Sequence, residues 1–146
     1  MKKTPVIIFC DTNILFWLFY RHVLWESIFH SALLKLASSY DVYISQYILS
    51  EIITVFQRDY DITITNEHIH SFFKMSWFLY IKSPDKIDAK VINYVSDIHD
   101  APVLQDAILI KANYLLTNNI KDFDSIAIRD TYNIEVINYI PNKLLW

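Results

Sequence analysis

No glycine occurs anywhere in the 146 residues, where average usage near 7% would supply about ten. The absence excludes the phosphate-cradling loops GxGxxG and GxxxxGK followed by Ser or Thr, whose glycines provide positive φ and close backbone approach. Turns must rely on Asn, Asp, Ser and Pro, and Asn118-Asn119 is a candidate for one. A low-GC genome, which also favours Ile, Tyr, Asn and Lys, is the bland explanation of the bias. Cysteine is scarce too. Cys10 stands alone, so no internal disulfide can form and a reducing cytoplasm is the expected location. Within an apolar strand it reads as a small core residue without chemistry.

Long apolar runs are also missing. No stretch approaches the roughly 18 to 20 residues that span a bilayer, so no membrane association is expected. Met1-Lys2-Lys3 before Val6-Ile7-Ile8-Phe9-Cys10 imitates a signal peptide, but Asp11 and Asn13 interrupt the run and no small-residue cleavage site follows. A buried first strand explains it better. Nor is there an excess of basic charge, the net value being −3. Lys2, Lys3, Arg21, Arg58, Lys74, Lys121 and Arg129 are the bases available to a phosphate backbone, and most read as solubilising charges.

What is present is a large apolar share, 53% hydrophobic and 16% aromatic, enough for one compact domain over residues 1–146. Residues 5–10 read as a strand buried on both faces. Helices are expected over 13–20 and 23–39, with a break near Arg21-His22, followed by a strand at 41–45 and a helix at 46–60. Thr65-Asn66-Glu67 caps a helix reaching about Phe78, and 79–81 form a third strand. Pro84 opens a helix to about Ile98, with Ile87, Val91, Ile92 and Val95 on one face. Asp100 is placed as an N-cap with Pro102 in the first turn of a helix reaching Asn113. Strands at 114–117 and 134–138 complete the pattern. Alternating strands and helices imply a three-layer α/β/α sandwich around a short, mostly parallel sheet.

Four acids fall where apolar segments end: Asp11, Glu51, Asp100 and Asp122. In open parallel sheets, ligand sites form beyond the carboxyl ends of the strands. Carboxylates converging there repel one another unless a cation lies between them. Oxygen donors select a hard divalent ion, whose common work is phosphodiester hydrolysis. With these four of the 16 acids set aside, 12 remain against 13 bases, leaving the rest of the surface about neutral.

Phe9-Cys10-Asp11-Thr12-Asn13-Ile14-Leu15 resembles the opening of PIN domains, a family of metal-dependent ribonucleases. Asp100-Ala-Pro-Val-Leu and the later run Thr117-Asn118-Asn119-Ile120-Lys121-Asp122-Phe123 resemble its second half, and Glu51 matches its helical glutamate. The resemblance covers nearly the whole chain in order. It implies Mg²⁺ or Mn²⁺ in an acidic pocket and endoribonuclease action on RNA, leaving 5′-phosphate and 3′-hydroxyl ends. It also implies the VapC-like toxin of a toxin–antitoxin pair, with a cognate antitoxin and a homodimer as expected partners. Carried over by position, Asp11 is the central metal ligand, Asp100 the second, Glu51 a ligand or water orienter, and Asp122 completes the set. Thr12, Asn13, Thr117 and Asn119 stand behind these ligands. Many members carry an acid where Asn119 stands, so the number of bound ions, one or two, is left open.

Other readings attach to the same residues. Asp11 and Asp100 also suit helix caps, and for the Thr12 and Thr117 hydroxyls backbone capping is the favoured role. Asp106 lies six residues after Asp100, roughly 240° round a helix, so the two are not expected to share a pocket. His99 reads as a surface residue, and His68 and His70, two apart on a helix, are badly placed to share a metal. Phe16 to Tyr20 read as core or a dimer contact rather than a base-stacking platform. A degraded pocket serving as a binding or scaffold module is the main alternative function, with Asn119 in its favour. An aspartyl phosphatase fits less well, because Asn13 stands where such enzymes place a second aspartate.

Overall fold

Ile7–Cys10 form β1, four apolar residues with three of them fully buried. Such a segment suits the middle of a sheet, where both faces are covered. A computed structural model, which describes residues 4–24 and 38–138, places it there. The other strands are β2 (Asp41–Ser45), β3 (Leu79–Ile81), β4 (Tyr114–Leu116) and β5 (Glu135–Ile137). Their order is β3-β2-β1-β4-β5, and every neighbouring pair is parallel. Ile8 lies opposite Val42 on one side, and Phe9 opposite Leu115 on the other.

The helices are α1 (Thr12–Leu24), α2 (Gln46–Tyr60), α3 (Asn66–Ser76), the short α4 (Ala89–Ile92), α5 (Ala101–Leu109) and α6 (Ser125–Tyr132). Right-handed crossovers put α1, α2 and α3 on one face and α5 and α6 on the other. In keeping with that, α1 packs on α2 and α3, and α6 packs along β5. Helix α2 buries Ile48, Ile52 and Phe56, a stripe at intervals of four. Phe56 meets Phe16, Phe19 and Tyr20 of α1 at ring-centroid distances of 4.9, 6.0 and 5.9 Å. Phe16 and Phe19 of the aromatic run are therefore core, with Tyr20 packed against it. Among the described residues no helix is long and apolar enough to cross a membrane.

The structure departs from the expected elements in several places. Helix α1 begins at Thr12 and its backbone continues through Arg21 and His22 without a break. Most of the helix expected over 23–39 lies outside the described residues, as do Lys2 and Lys3. Between Pro84 and Ile98 only Ala89–Ile92 are helical. Val95 instead forms an antiparallel bridge with Phe123, and the Ser96 and Asp124 amides donate to the Asp122 and Tyr94 carbonyls, both at 2.8 Å. These contacts with a distant segment override the apolar periodicity. Helix α5 ends at Leu109, four residues before the expected Asn113. Helix α6, capped by the Asp124 side chain, was not expected.

With no glycine available, left-handed backbone falls on Asp61, Trp77, Lys111 and Asn133, at φ 52, 62, 54 and 57. Asp61, Trp77 and Asn133 terminate α2, α3 and α6. Lys111 turns the chain from α5 toward β4.

Candidate functional site

The parallel ladder sets the site's geometry. The Asp11 amide donates to the Leu116 carbonyl at 2.9 Å, and the Thr117 amide to the Ile137 carbonyl at 2.9 Å. Asp11 and Thr117 are thus the first residues beyond two adjacent strands, at the same carboxyl edge. Their side chains meet: Thr117 Oγ1 donates to Asp11 Oδ2 at 2.8 Å. Asp11 Oδ1 accepts the Thr12 amide at 2.7 Å, and Asn13 Nδ2 approaches Oδ2 at 3.5 Å. Asp11 is only 4% exposed. Burial raises its pKa, the Thr117 and Thr12 hydrogen bonds oppose that rise, and the charges of Glu51 and Asp122 add to it.

Glu51 arrives from α2, and both of its oxygens are engaged. The Thr12 hydroxyl donates to Oε2, and the Tyr47 hydroxyl to Oε1 at 2.9 Å. Tyr47 stands one turn before Glu51 on the same helical face, which is the sequence signal that would have found it. Asp100 lies at the junction of a 3₁₀ turn (Ile98–Asp100) and α5. It occupies the N-cap position but makes no side-chain capping bond. Its carboxyl pKa is pushed up to about 6, by burial first and then by Asp11, Asp97, Asp122 and Glu51. Asp122 closes a second 3₁₀ turn (Ile120–Asp122) and is held by the Val95–Phe123 bridge, with Ser96 Oγ 3.4 Å from its Oδ1.

The four acids are therefore near enough to repel one another, although they come from four parts of the chain. The described ion pairs, Arg58–Asp59 and Arg129–Asp130, involve none of them. The donor set is all carboxylate oxygen, with no base ion-paired to it among the described residues, which fits a hard divalent cation. Its spacing is open. Among the described residues no three carboxylate, histidine or cysteine side chains form a ready-made ion-binding group.

Of the two hydroxyls, Thr117 keeps the expected backbone-capping role alongside its bond to Asp11, and Thr12 departs from it. Thr12 turns to Glu51, while Thr117 bonds Asp11 and also accepts the Asn119 amide at 3.0 Å. Asn13 accepts the Asn118 amide at 3.1 Å through Oδ1, fixing the turn after β4. Asn119 is exposed. Asp106 points elsewhere, 1% exposed and bonded by Ser83 Oγ at 2.8 Å. His68 closes a capping box with Thr65, so its ring serves the start of α3. Cys10 is fully buried, and burial pushes its thiol pKa up to about 12, consistent with a core role.

These observations define a three-layer α/β/α protein with a short parallel sheet and an acidic carboxyl edge. A chain of the VapBC2 complex from Rickettsia felis, solved bound to a DNA fragment from its promoter, shares this fold. The match has a TM-score of 0.54 at 20% identity and covers 92% of this chain and 100% of that one. At that identity the likeness is one of fold. No protein-family profile matches the chain, and no curated protein matches it in sequence.

Proposed function

We propose that this protein is a metal-dependent endoribonuclease of the PIN type that hydrolyses RNA phosphodiester bonds. The observation that carries the reading is Asp11. It is a carboxylate buried at the carboxyl end of the central strand, and its charge is disfavoured by burial and by the fields of Glu51 and Asp122. A fixed charge in that setting is the starting point of a cation site.

Asp11, Glu51, Asp100 and Asp122 would hold Mg²⁺ or Mn²⁺. When bound, such an ion supplies charge stabilisation at phosphoryl oxygens and lowers the pKa of water. The chain's own contribution is orientation. Thr117 and the Thr12 amide fix Asp11, Thr12 and Tyr47 fix Glu51, and the uncapped Asp100 is free to turn toward a ligand. The shared fold with a chain of VapBC2, itself a complex, supports a toxin role with an antitoxin partner. A small reading frame beside the gene, whose product co-purifies with this chain, is the expected companion.

The test is cleavage of a mixed RNA substrate in Mn²⁺ or Mg²⁺ by the wild type, Asp11→Asn and Asp100→Asn. Metal-dependent cleavage by the wild type, lost in both variants, is the expected result. Equal cleavage by all three would mean a contaminating ribonuclease. A second reading, a binding module with a retired site, is favoured by the two protein hydroxyls on Glu51 and by Asn119 in place of an acid. Absence of cleavage by folded, Mn²⁺-saturated protein across varied RNAs would select it.

A further inference from the structure

Tyr47 is tied into the site from both ends. Its backbone amide donates to Ser83 Oγ at 3.0 Å, and the Ser83 hydroxyl donates onward to Asp106 Oδ2 at 2.8 Å. Ser45 completes the anchor. It also hydrogen-bonds Asp106, and its oxygen accepts the Ile48 amide at 3.3 Å as the N-cap of α2. A carboxylate on α5, buried to 1% exposure, is therefore satisfied by two hydroxyls that in turn cap the first turn of α2. Burial raises the Asp106 pKa and the two serine hydroxyls oppose that rise, so these hydrogen bonds clamp α2 to α5.

The other end of Tyr47 faces the acids. Its hydroxyl lies 2.9 Å from Glu51 Oε1 and 3.2 Å from the carbonyl of His99, the residue before Asp100. The phenol proton is shared between the two acceptors, and the shorter contact goes to the carboxylate. The phenol thus stands between the two elements that bring Glu51 and Asp100 to the sheet edge. With Thr12 on the other oxygen, Glu51 has both oxygens held and its orientation fixed.

We propose that Tyr47 is a positioning residue for Glu51, anchored by the buried Asp106–Ser83 pair and setting the direction in which Glu51 presents oxygen to a divalent cation. The assignment rests on the ribonuclease reading of Glu51 as a metal ligand. Groups that orient a ligand in this way typically change metal affinity by about 10- to 100-fold when removed.

The experiment is calorimetric titration of Mn²⁺ into the wild type, Tyr47→Phe, Glu51→Gln and the double variant, with thermal midpoints in EDTA as the fold control. Tyr47→Phe is expected to weaken Mn²⁺ about tenfold with a near wild-type midpoint. In the Glu51→Gln background it should add nothing, because the hydroxyl acts through that carboxylate. Ser83→Ala, which frees the start of α2 and keeps the phenol, should weaken Mn²⁺ by a smaller factor. It stands in if Tyr47→Phe does not fold. Unchanged affinity, or the same loss in both backgrounds, would overturn the positioning role while leaving the ribonuclease reading intact. A folded wild type that takes up no Mn²⁺ would overturn both.

Discussion

The carboxyl group of Asp100 is half-buried, lacks a capping bond and titrates near pH 6 because burial and four neighbouring acids disfavour its charge. In the unfolded chain the same group titrates near the ordinary aspartate value of 3.8. Between those two values the folded protein holds a proton that the unfolded chain has released. Stability must therefore fall as pH rises through this window, and the penalty persists above it. Asp100→Asn removes the titration. In EDTA, the variant should be more stable than the wild type at pH 7 by about 1 kcal/mol, a figure reduced for solvent screening of a partly exposed group. The difference should vanish near pH 4. Urea midpoints at the two pH values check it, and a less stable variant at pH 7 would contradict the electrostatic account. Asp11, Asp100 and Asp122 were legible as candidates because each sits at a recognisable boundary between an apolar segment and a turn, and Glu51, inside α2, through its match to a helical glutamate. Tyr47 had a local signal, its place one turn before Glu51, but Ser83 had none, since it meets the start of α2 across 36 positions of chain. No local pattern announces that meeting.

Among the elements, α2 depends most on its first turn. Ser45→Ala removes an N-cap and should cost about 1 kcal/mol. Asp106→Ala should cost more, about 2 to 3 kcal/mol, because two serine hydroxyls lose a buried acceptor. Urea unfolding followed by circular dichroism reads both, and equal losses would mean that the carboxylate is not the anchor. The strands were readable from short apolar runs, and α2 and α3 from periodicity with caps. The helix expected from Pro84 to Ile98 is reduced to Ala89–Ile92, since Val95 bridges to Phe123 and Asp88 gives its amide to Gln105 Oε1 at 2.6 Å. Helix α6 escaped notice because only Ile128 is buried on it, which leaves almost no apolar stripe to read. Those two misreadings meet at one place, the 94–96 and 122–124 crossing that holds Asp122. The least legible part of the fold therefore holds Asp122.

For the molecule as a whole, the central position of β1 has the largest consequence. An all-parallel sheet with β1 in the middle brings Asp11 and Thr117 to one edge, while the first half of α2 delivers Glu51 and the 3₁₀ turn before α5 delivers Asp100. That convergence follows from parallel strands, which the alternation of segments already implied, and from their order, which it did not; the open spacing of the acids depends on side-chain packing at turns. The left-handed residues carry a different message. An ordinary L-residue in that conformation is disfavoured by roughly 1 to 2 kcal/mol, less for Asn and Asp. Asp61 and Asn133 are the mild cases, Trp77 and Lys111 the costly ones. Lys111→Gly should accordingly raise the stability of the protein by about 0.5 to 1 kcal/mol after the entropy of a freer unfolded chain is subtracted. A higher urea midpoint would show it, and a lower one would mean that the lysine side chain outweighs the backbone. A chain whose composition shuns one amino acid has thus kept unused the simplest substitution open to it, and its descendants could become hardier at a single corner without touching the chemistry at the far edge of the sheet.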